Sequence, residues 1–260
     1  MMKIRYVMVV IAAFVLASCA SSQHKLQQAR EKDPQYQYNV GLFYLNNNNV
    51  DEAIRYLNKA LVLNPRYHLA LNALGLAHSM KGNFDEAIRL YYKCLEVAPD
   101  FSEARNNLGI VYQELGYIDK AEEAFLRVIE DSSYPTKELP LYNLARLSFL
   151  RGDVDKALFY VESAIKANNR FHMAYNLKGL ILESKEQLAD AIASFERAVK
   201  IVPEDVNYNF NLGEAYFKNG EFSRAAEVLE KISSLVVDPG MREKLETYLK
   251  AIKKRSYPPS

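Results

Sequence analysis

The chain has 260 residues, with 33 Lys and Arg against 32 Asp and Glu, 49% apolar residues, ten Gly, nine Pro, two Cys and no Trp. That apolar fraction with balanced charge excludes a disordered chain, and a net charge of +1 excludes the broad positive field a general nucleic-acid binder needs. Two cysteines, one inside a processing signal, exclude a disulfide framework.

In chain order, Lys3 and Arg5 precede an apolar run from Val7 to Ala17. The run is too short for a membrane span, which needs about 20 residues. A charged start and a short apolar stretch read as a signal peptide over 1–18. Leu16-Ala17-Ser18-Cys19 follows and resembles the bacterial lipobox. The resemblance implies cleavage before Cys19 and its acylation, with palmitate among the chains. Two or more acyl chains anchor a protein stably where one does not. Ala20 and Ser21 follow, with no Asp at the second position, which by resemblance to enteric sorting rules implies outer-membrane delivery facing the periplasm. The alternative is an ordinary signal peptide with a chance cysteine. Residues 19–33 are polar and of mixed charge, a tether reaching at most about 50 Å.

The remainder is repetitive. Gly41, Gly75, Gly109, Ala145, Gly179 and Gly213 recur at steps of 34, 34, 36, 34 and 34. Twelve residues after each stands Ala53, Ala87, Ala121, Ala157, Ala191 or Ala225, and seven further on Ala60, Cys94, Val128, Ala164, Ala198 or Ile232. Pro65, Pro99 and Pro203 follow the second half of their repeats. This pattern resembles the tetratricopeptide repeat (TPR), a helix-turn-helix unit. Six copies are expected, at 34–67, 68–101, 102–135, 138–171, 172–205 and 206–239. The fold expected is all-α, a right-handed solenoid of helical hairpins.

Each recurring position has a mechanical reason. Glycine inside a helix costs about 1 kcal/mol relative to alanine, so its recurrence requires a gain, and close approach of the second helix supplies one. Asn48, Gly82, Gly116, Gly152 and Gly220 fall where the first helix must stop in a left-handed residue. Asp51, Asp85, Asp119, Asp155 and Ser223 follow, and are expected to cap the second helix. Repeat five departs from the pattern at Lys178 and Glu186. A single hairpin cannot bury its apolar face, so stacking makes the core. Met241 to Lys254, within 240–260, reads as an amphipathic capping helix with a basic end, followed by a disordered tail.

In TPR proteins the concave groove is lined by positions 2, 5, 9, 12 and 13 of the first helix. Here position 5 carries Tyr38, Asn72, Asn106, Tyr142, Asn176 and Phe210, and position 9 carries Leu42, Leu76, Ile110, Arg146, Leu180 and Glu214. Aliphatic residues at positions expected to face solvent mark an interaction surface, and neighbouring amide and tyrosine groups can bond a bound segment. The alternative is that some pack between adjacent first helices. Tyr38 with Leu42, and Asn106 with Ile110, lack the basic residues of the carboxylate clamp found in chaperone-binding TPR proteins.

The lengthened loop Ser132-Ser133-Tyr134-Pro135, followed by Tyr142-Asn143-Leu144-Ala145, resembles the type IV pilus pilotin lipoproteins PilF and PilW. The resemblance implies an outer-membrane lipoprotein that helps secretin subunits insert and multimerise. Ala145 stands where that family usually has glycine. The other function considered is a general envelope scaffold docking peptidoglycan hydrolases or proteases. His24, His68, His78 and His172 are scattered, no metal-binding or phosphate-binding motif is present, and Ser163-Ala164-Ile165-Lys166 lacks the companion motifs of Ser-x-x-Lys enzymes. A non-enzymatic protein with no cofactor and no nucleic-acid partner is expected. Cys94 occupies a small-residue packing position, where an inert thiol is expected.

Overall fold

The structure, a computed structural model, describes residues 27–256. The expected signal peptide, the expected lipidation site Cys19 and the expected tail after Ser256 lie outside those residues. Thirteen helices are α1 (Pro34–Asn46), α2 (Val50–Leu63), α3 (His68–Met80), α4 (Phe84–Val97), α5 (Ser102–Glu114), α6 (Ile118–Glu130), α7 (Glu138–Leu150), α8 (Val154–Ala167), α9 (His172–Ser184), α10 (Leu188–Ile201), α11 (Val206–Lys218), α12 (Phe222–Ile232) and α13 (Pro239–Ser256). Residues 27–31 are also helical, and there is no strand among the described residues. The all-α repeat fold expected from the period is the one observed.

Backbone packing divides the chain into two units, 1–124 and 125–260, the division falling within α6. In the first unit α1 pairs with α2 and α3 with α4; α3 then packs on α2 and α5 on α4. In the second, α7 pairs with α8, α9 with α10 and α11 with α12, while α9 packs on α8, α11 on α10 and α13 on α12. First helices of neighbouring hairpins also touch: α1 with α3, α3 with α5, α7 with α9 and α11 with α13.

In repeats one, two, five and six the glycine at position 8 of the first helix faces a large residue at position 24, on the second helix. A methyl group added at Gly75 would stand 2.6 Å from the Tyr91 ring, at Gly41 2.7 Å from Leu57, and at Gly213 2.6 Å from Leu229; Gly179 lies as tightly on Phe195. Leu57, Tyr91, Phe125, Val161, Phe195 and Leu229, all at position 24, are fully buried. Repeat four has Ala145 in place of glycine, and there the partner is Val161, the smallest of the six. One position shrinks where the other grows, as close packing requires.

The first helices end as expected. Asn48, Gly82, Gly116, Gly152 and Gly220 have φ of 56°, 74°, 75°, 79° and 81°. Glu186 takes the same left-handed conformation at φ 60°, where a side chain is strained by about 1–2 kcal/mol. The other departure in repeat five, Lys178, pairs with Glu162 at 2.7 Å.

The expected caps are corrected. The turn is shorter than the spacing suggests, so the second helices begin earlier. Asp51, Asp85, Asp119, Asp155 and Ser223 sit at the second helical position, inside the first turn. The caps are Asn49, whose side chain accepts from the Glu52 amide at 3.4 Å, and Asp153, which accepts from the Lys156 amide at 3.2 Å. Asn83, Gln187 and Glu221 occupy that place without a side-chain cap bond. The aspartates act through the helix dipole. Two also tie hairpins together: Lys81 Nζ donates to Asp51 at 2.6 Å and Lys185 Nζ to Asp155 at 2.8 Å.

Cys94 is buried with its thiol donating to the His68 carbonyl at 3.2 Å, and burial pushes its pKa up to about 12. A thiol so rarely ionised is inert. The Tyr91 hydroxyl is buried without a partner, and burial raises its pKa. Such an orphaned group costs about 1–3 kcal/mol, and position 24 already accepts phenylalanine in repeats three and five. Tyr91→Phe is therefore expected to raise stability by about 1 kcal/mol in urea unfolding. Gly179→Ala, forced against Phe195, is expected to lower it by about 1–3 kcal/mol.

Candidate protein-binding face

The outward face of the first helices differs between the two units. In the first unit, position 9 forms an aliphatic line: Leu42 is half-buried, while Leu76 and Ile110 are 39% and 37% exposed. Tyr38 meets Tyr67 edge to face at 5.3 Å. Asn72 Oδ1 accepts from Asn107 Nδ2 at 3.0 Å, joining α3 to α5. Asn106, expected to line the groove openly, is buried, and its Oδ1 has no partner. Gln113 Oε1 shares that condition.

The second unit is different in kind. Tyr142 packs edge to face on Phe171 at 5.5 Å with the Arg146 guanidinium 5.9 Å from its ring, and burial raises the Tyr142 pKa. Asn176 Oδ1 accepts from Asn211 Nδ2 at 2.9 Å, repeating the amide bond of the first unit. Leu180 is partly buried against the core that runs from α9 to α13. Phe210 is buried, in contact with Tyr248 of α13. Lys218 Nζ donates at 2.8 Å to both Glu183 and Glu214, and the Tyr248 hydroxyl donates to Glu214 at 2.8 Å. The aliphatic run at position 9 thus belongs to the first unit, and charged and aromatic groups mark the face of the second.

Sequence reasoning passed over further apolar groups. Met80 and Leu150 at position 13, and Leu139 and Met173 at position 2, are exposed. The repeat arithmetic that found positions 5 and 9 also reaches them. It equally reaches the stacking face of the first hairpin. At positions 3, 7 and 10 the second hairpin buries Ala70, Leu74 and Ala77, whereas the first carries Tyr36, Val40 and a Phe43 that is 62% exposed. Tyr36 and Val40 line a cleft of about 500 Å³ with Tyr56, Val62 and, from ahead of α1, Gln27 and Glu31. The Arg55 guanidinium and Lys59 ammonium stand 4.5 and 4.9 Å from the Tyr56 ring. Among the described residues no group of metal-ligating side chains comes together, and no helix is long and apolar enough to cross a membrane.

Helical hairpins with small-on-large contacts and an exposed first-helix face define a repeat protein of the interaction-scaffold class. The pattern described as tetratricopeptide repeat matches residues 34–100, 66–132 and 206–235, and that described as TPR repeat matches 179–220. The chain belongs to the tetratricopeptide-repeat family. It is 30% identical over 105 residues to the protein CTR9 homolog of Arabidopsis thaliana, a match spanning 39% of this chain but only 10% of that protein. Among solved structures it is similar to Pseudomonas aeruginosa PilF, with a TM-score of 0.75 and 18% identity over 84% of this chain and 99% of that one. It is likewise similar to PilW, described as a widely conserved type IV pilus biogenesis factor, with a TM-score of 0.74 and 18% identity over 82% of this chain and 97% of that one. At these identities the likeness is one of fold.

Two expectations follow. Because Leu76 and Ile110 are exposed on the first-helix face, Leu76→Glu with Ile110→Glu is expected to leave helical circular dichroism unchanged and stability within about 0.5 kcal/mol per site. Glu214 gives a pH dependence. Burial alone would raise its pKa, but the hydrogen bonds from Lys218 and Tyr248 outweigh burial and hold it below the usual value. A depressed carboxylate stabilises the folded state fully above its unfolded pKa of about 4.3 and loses that contribution as pH falls through the folded value. The melting temperature of the wild type is expected to exceed that of Glu214→Gln at neutral pH, and the two are expected to converge as pH falls through the depressed folded value.

Proposed function

We propose that the protein is a non-enzymatic lipoprotein adaptor of the outer membrane that assists secretin assembly in type IV pilus biogenesis. Cys19 is the acylated residue in this reading, and the first-helix face, above all Leu42, Leu76 and Ile110, receives secretin subunits in the periplasm. The observation that carries the reading is the likeness of fold to PilF and PilW, which takes in 99% and 97% of those chains rather than a shared stretch of repeats. The lipobox and the Tyr134-Pro135 loop in the sequence support it.

Physically, the adaptor works by position. A lipid anchor at one end of a short polar tether confines the repeat domain to a thin layer at the membrane, which raises its effective concentration for partners arriving there. An aliphatic, uncharged face then binds by burying apolar surface rather than by long-range attraction. Deletion of the gene is expected to abolish heat-resistant secretin multimers and surface pili, both restored by the wild-type chain but not by Cys19→Ala. Unchanged multimers and pili would defeat the proposal, and affinity capture from membranes that returns murein hydrolases or proteases in place of secretin would redirect it to the scaffold role.

A further inference from the structure

The first hairpin opens the array, and its outer face is built unlike the faces that follow. Positions 3, 7 and 10 of α3 and α5 lie on the side that meets the preceding hairpin. They are Ala70, Leu74 and Ala77 in α3 and Ala104, Leu108 and Val111 in α5, all buried. Small residues there let the preceding hairpin come close. In α1 the same positions carry Tyr36, Val40 and Phe43, with no hairpin before them, and Phe43 is 62% exposed. A terminal repeat left uncovered needs a polar outer face. Large apolar residues at small-residue positions suit a partner other than one more hairpin stacked in series.

Three occupants can be compared. The chain's own lead, Ala20 to Leu26, has a single large apolar residue, too little to cover this stripe and the 82%-exposed Val62. The last helix of a second copy, stacked head to tail, presents charged residues, among them Arg242, Glu243, Glu246 and Lys250 of α13. The same face of a second copy is complementary. Its stripe reads aromatic, aliphatic, aromatic in either direction. An antiparallel copy therefore sets Tyr36 against Phe43, Val40 against Val40 and Phe43 against Tyr36, the reciprocal contacts that a two-fold interface requires. The face also holds both a knob and a hole. Phe43 stands out from it, and the cleft of about 500 Å³ is lined by Tyr36, Val40, Tyr56 and Val62. The charges agree with this arrangement. Lys59 lines the cleft, while Asp51, still 82% exposed although it accepts from Lys81, stands at the Phe43 end of α2. An antiparallel partner brings these opposite charges toward one another at both edges.

From these features we infer that the protein forms a two-fold dimer through the outer face of its first hairpin. The two α1 helices run antiparallel about Val40, and Phe43 of each copy enters the cleft of the other. For the adaptor role proposed above, such a pair carries two first-helix faces and holds a multimeric partner by avidity.

The test uses the chain from residue 19 with Cys19→Ser, which keeps every described residue and leaves the buried Cys94 as its one thiol. Sedimentation velocity from about 1 μM to about 1 mM is expected to show monomer and dimer in equilibrium and no larger species. Phe43→Glu is expected to weaken the dimer at least about tenfold with circular dichroism unchanged, because Phe43 is exposed. Val40→Cys, at the two-fold axis, is expected to crosslink to itself through a short bismaleimide, and Leu76→Cys is not. Asn39→Cys, exposed on the same stripe, takes its place should Val40→Cys alter the circular dichroism. A monomer at every concentration, polymers that lengthen with concentration, an undiminished dimer in Phe43→Glu, or crosslinking at Leu76 instead of the α1 stripe would each overturn the inference. So would a chain that dimerises only once residues 19–26 are removed, since its own lead would then be the occupant.

Discussion

One contact recurs in the hairpins of repeats one, two, five and six, a glycine at position 8 of the first helix lying under a large, fully buried residue at position 24 of the second. Without the missing side chain at Gly75 or Gly213 the helices could not approach, because a methyl group there would stand 2.6 Å from Tyr91 or Leu229. The exchange at repeat four, Ala145 with Val161, shows that the sum of the two volumes matters, not glycine itself. Close approach turns the opposite side of each first helix outward. The same contact that builds the core therefore determines which residues are left to meet a partner.

What the two units offer there is unequal. The first presents Leu76 and Ile110 with amides beside them, while the second spends its positions on internal bonds: Lys218 between Glu183 and Glu214, and Tyr248 of α13 on Glu214 and Phe210. A lysine bridging two carboxylates is satisfied within the protein and gains little from a ligand. Exposed aliphatic carbon gains from burial against a ligand. The proposed binding accordingly falls to the first unit.

The fold was legible because its determinants are local and repeated. Period, small residues and left-handed turn residues all recur in register, and even Glu186, which breaks the glycine pattern, is held to the same φ by its neighbours. The capping residues were misplaced because turn length is a property of backbone geometry that Asp51 or Asp155 does not reveal. The face was half legible. Positions 5 and 9 lead to Leu76 and Ile110, but burial of Asn106 and Phe210 depends on how neighbouring helices pack, and a pattern in one dimension does not contain that. The pairing of position 8 with position 24 was present in the sequence and becomes obvious only once the contact is seen.

The proposed function requires protein to be bound at the outward face of α3 and α5 rather than on the second helices. Site-specific photocrosslinking in living cells tests this directly, with a photoreactive side chain placed at Leu76, at Ile110 and, on the opposite side of its hairpin, at the exposed Lys93 of α4. Covalent adducts with an envelope protein are expected at Leu76 and Ile110 and not at Lys93. Adducts at Lys93 with none at the other two would contradict the account.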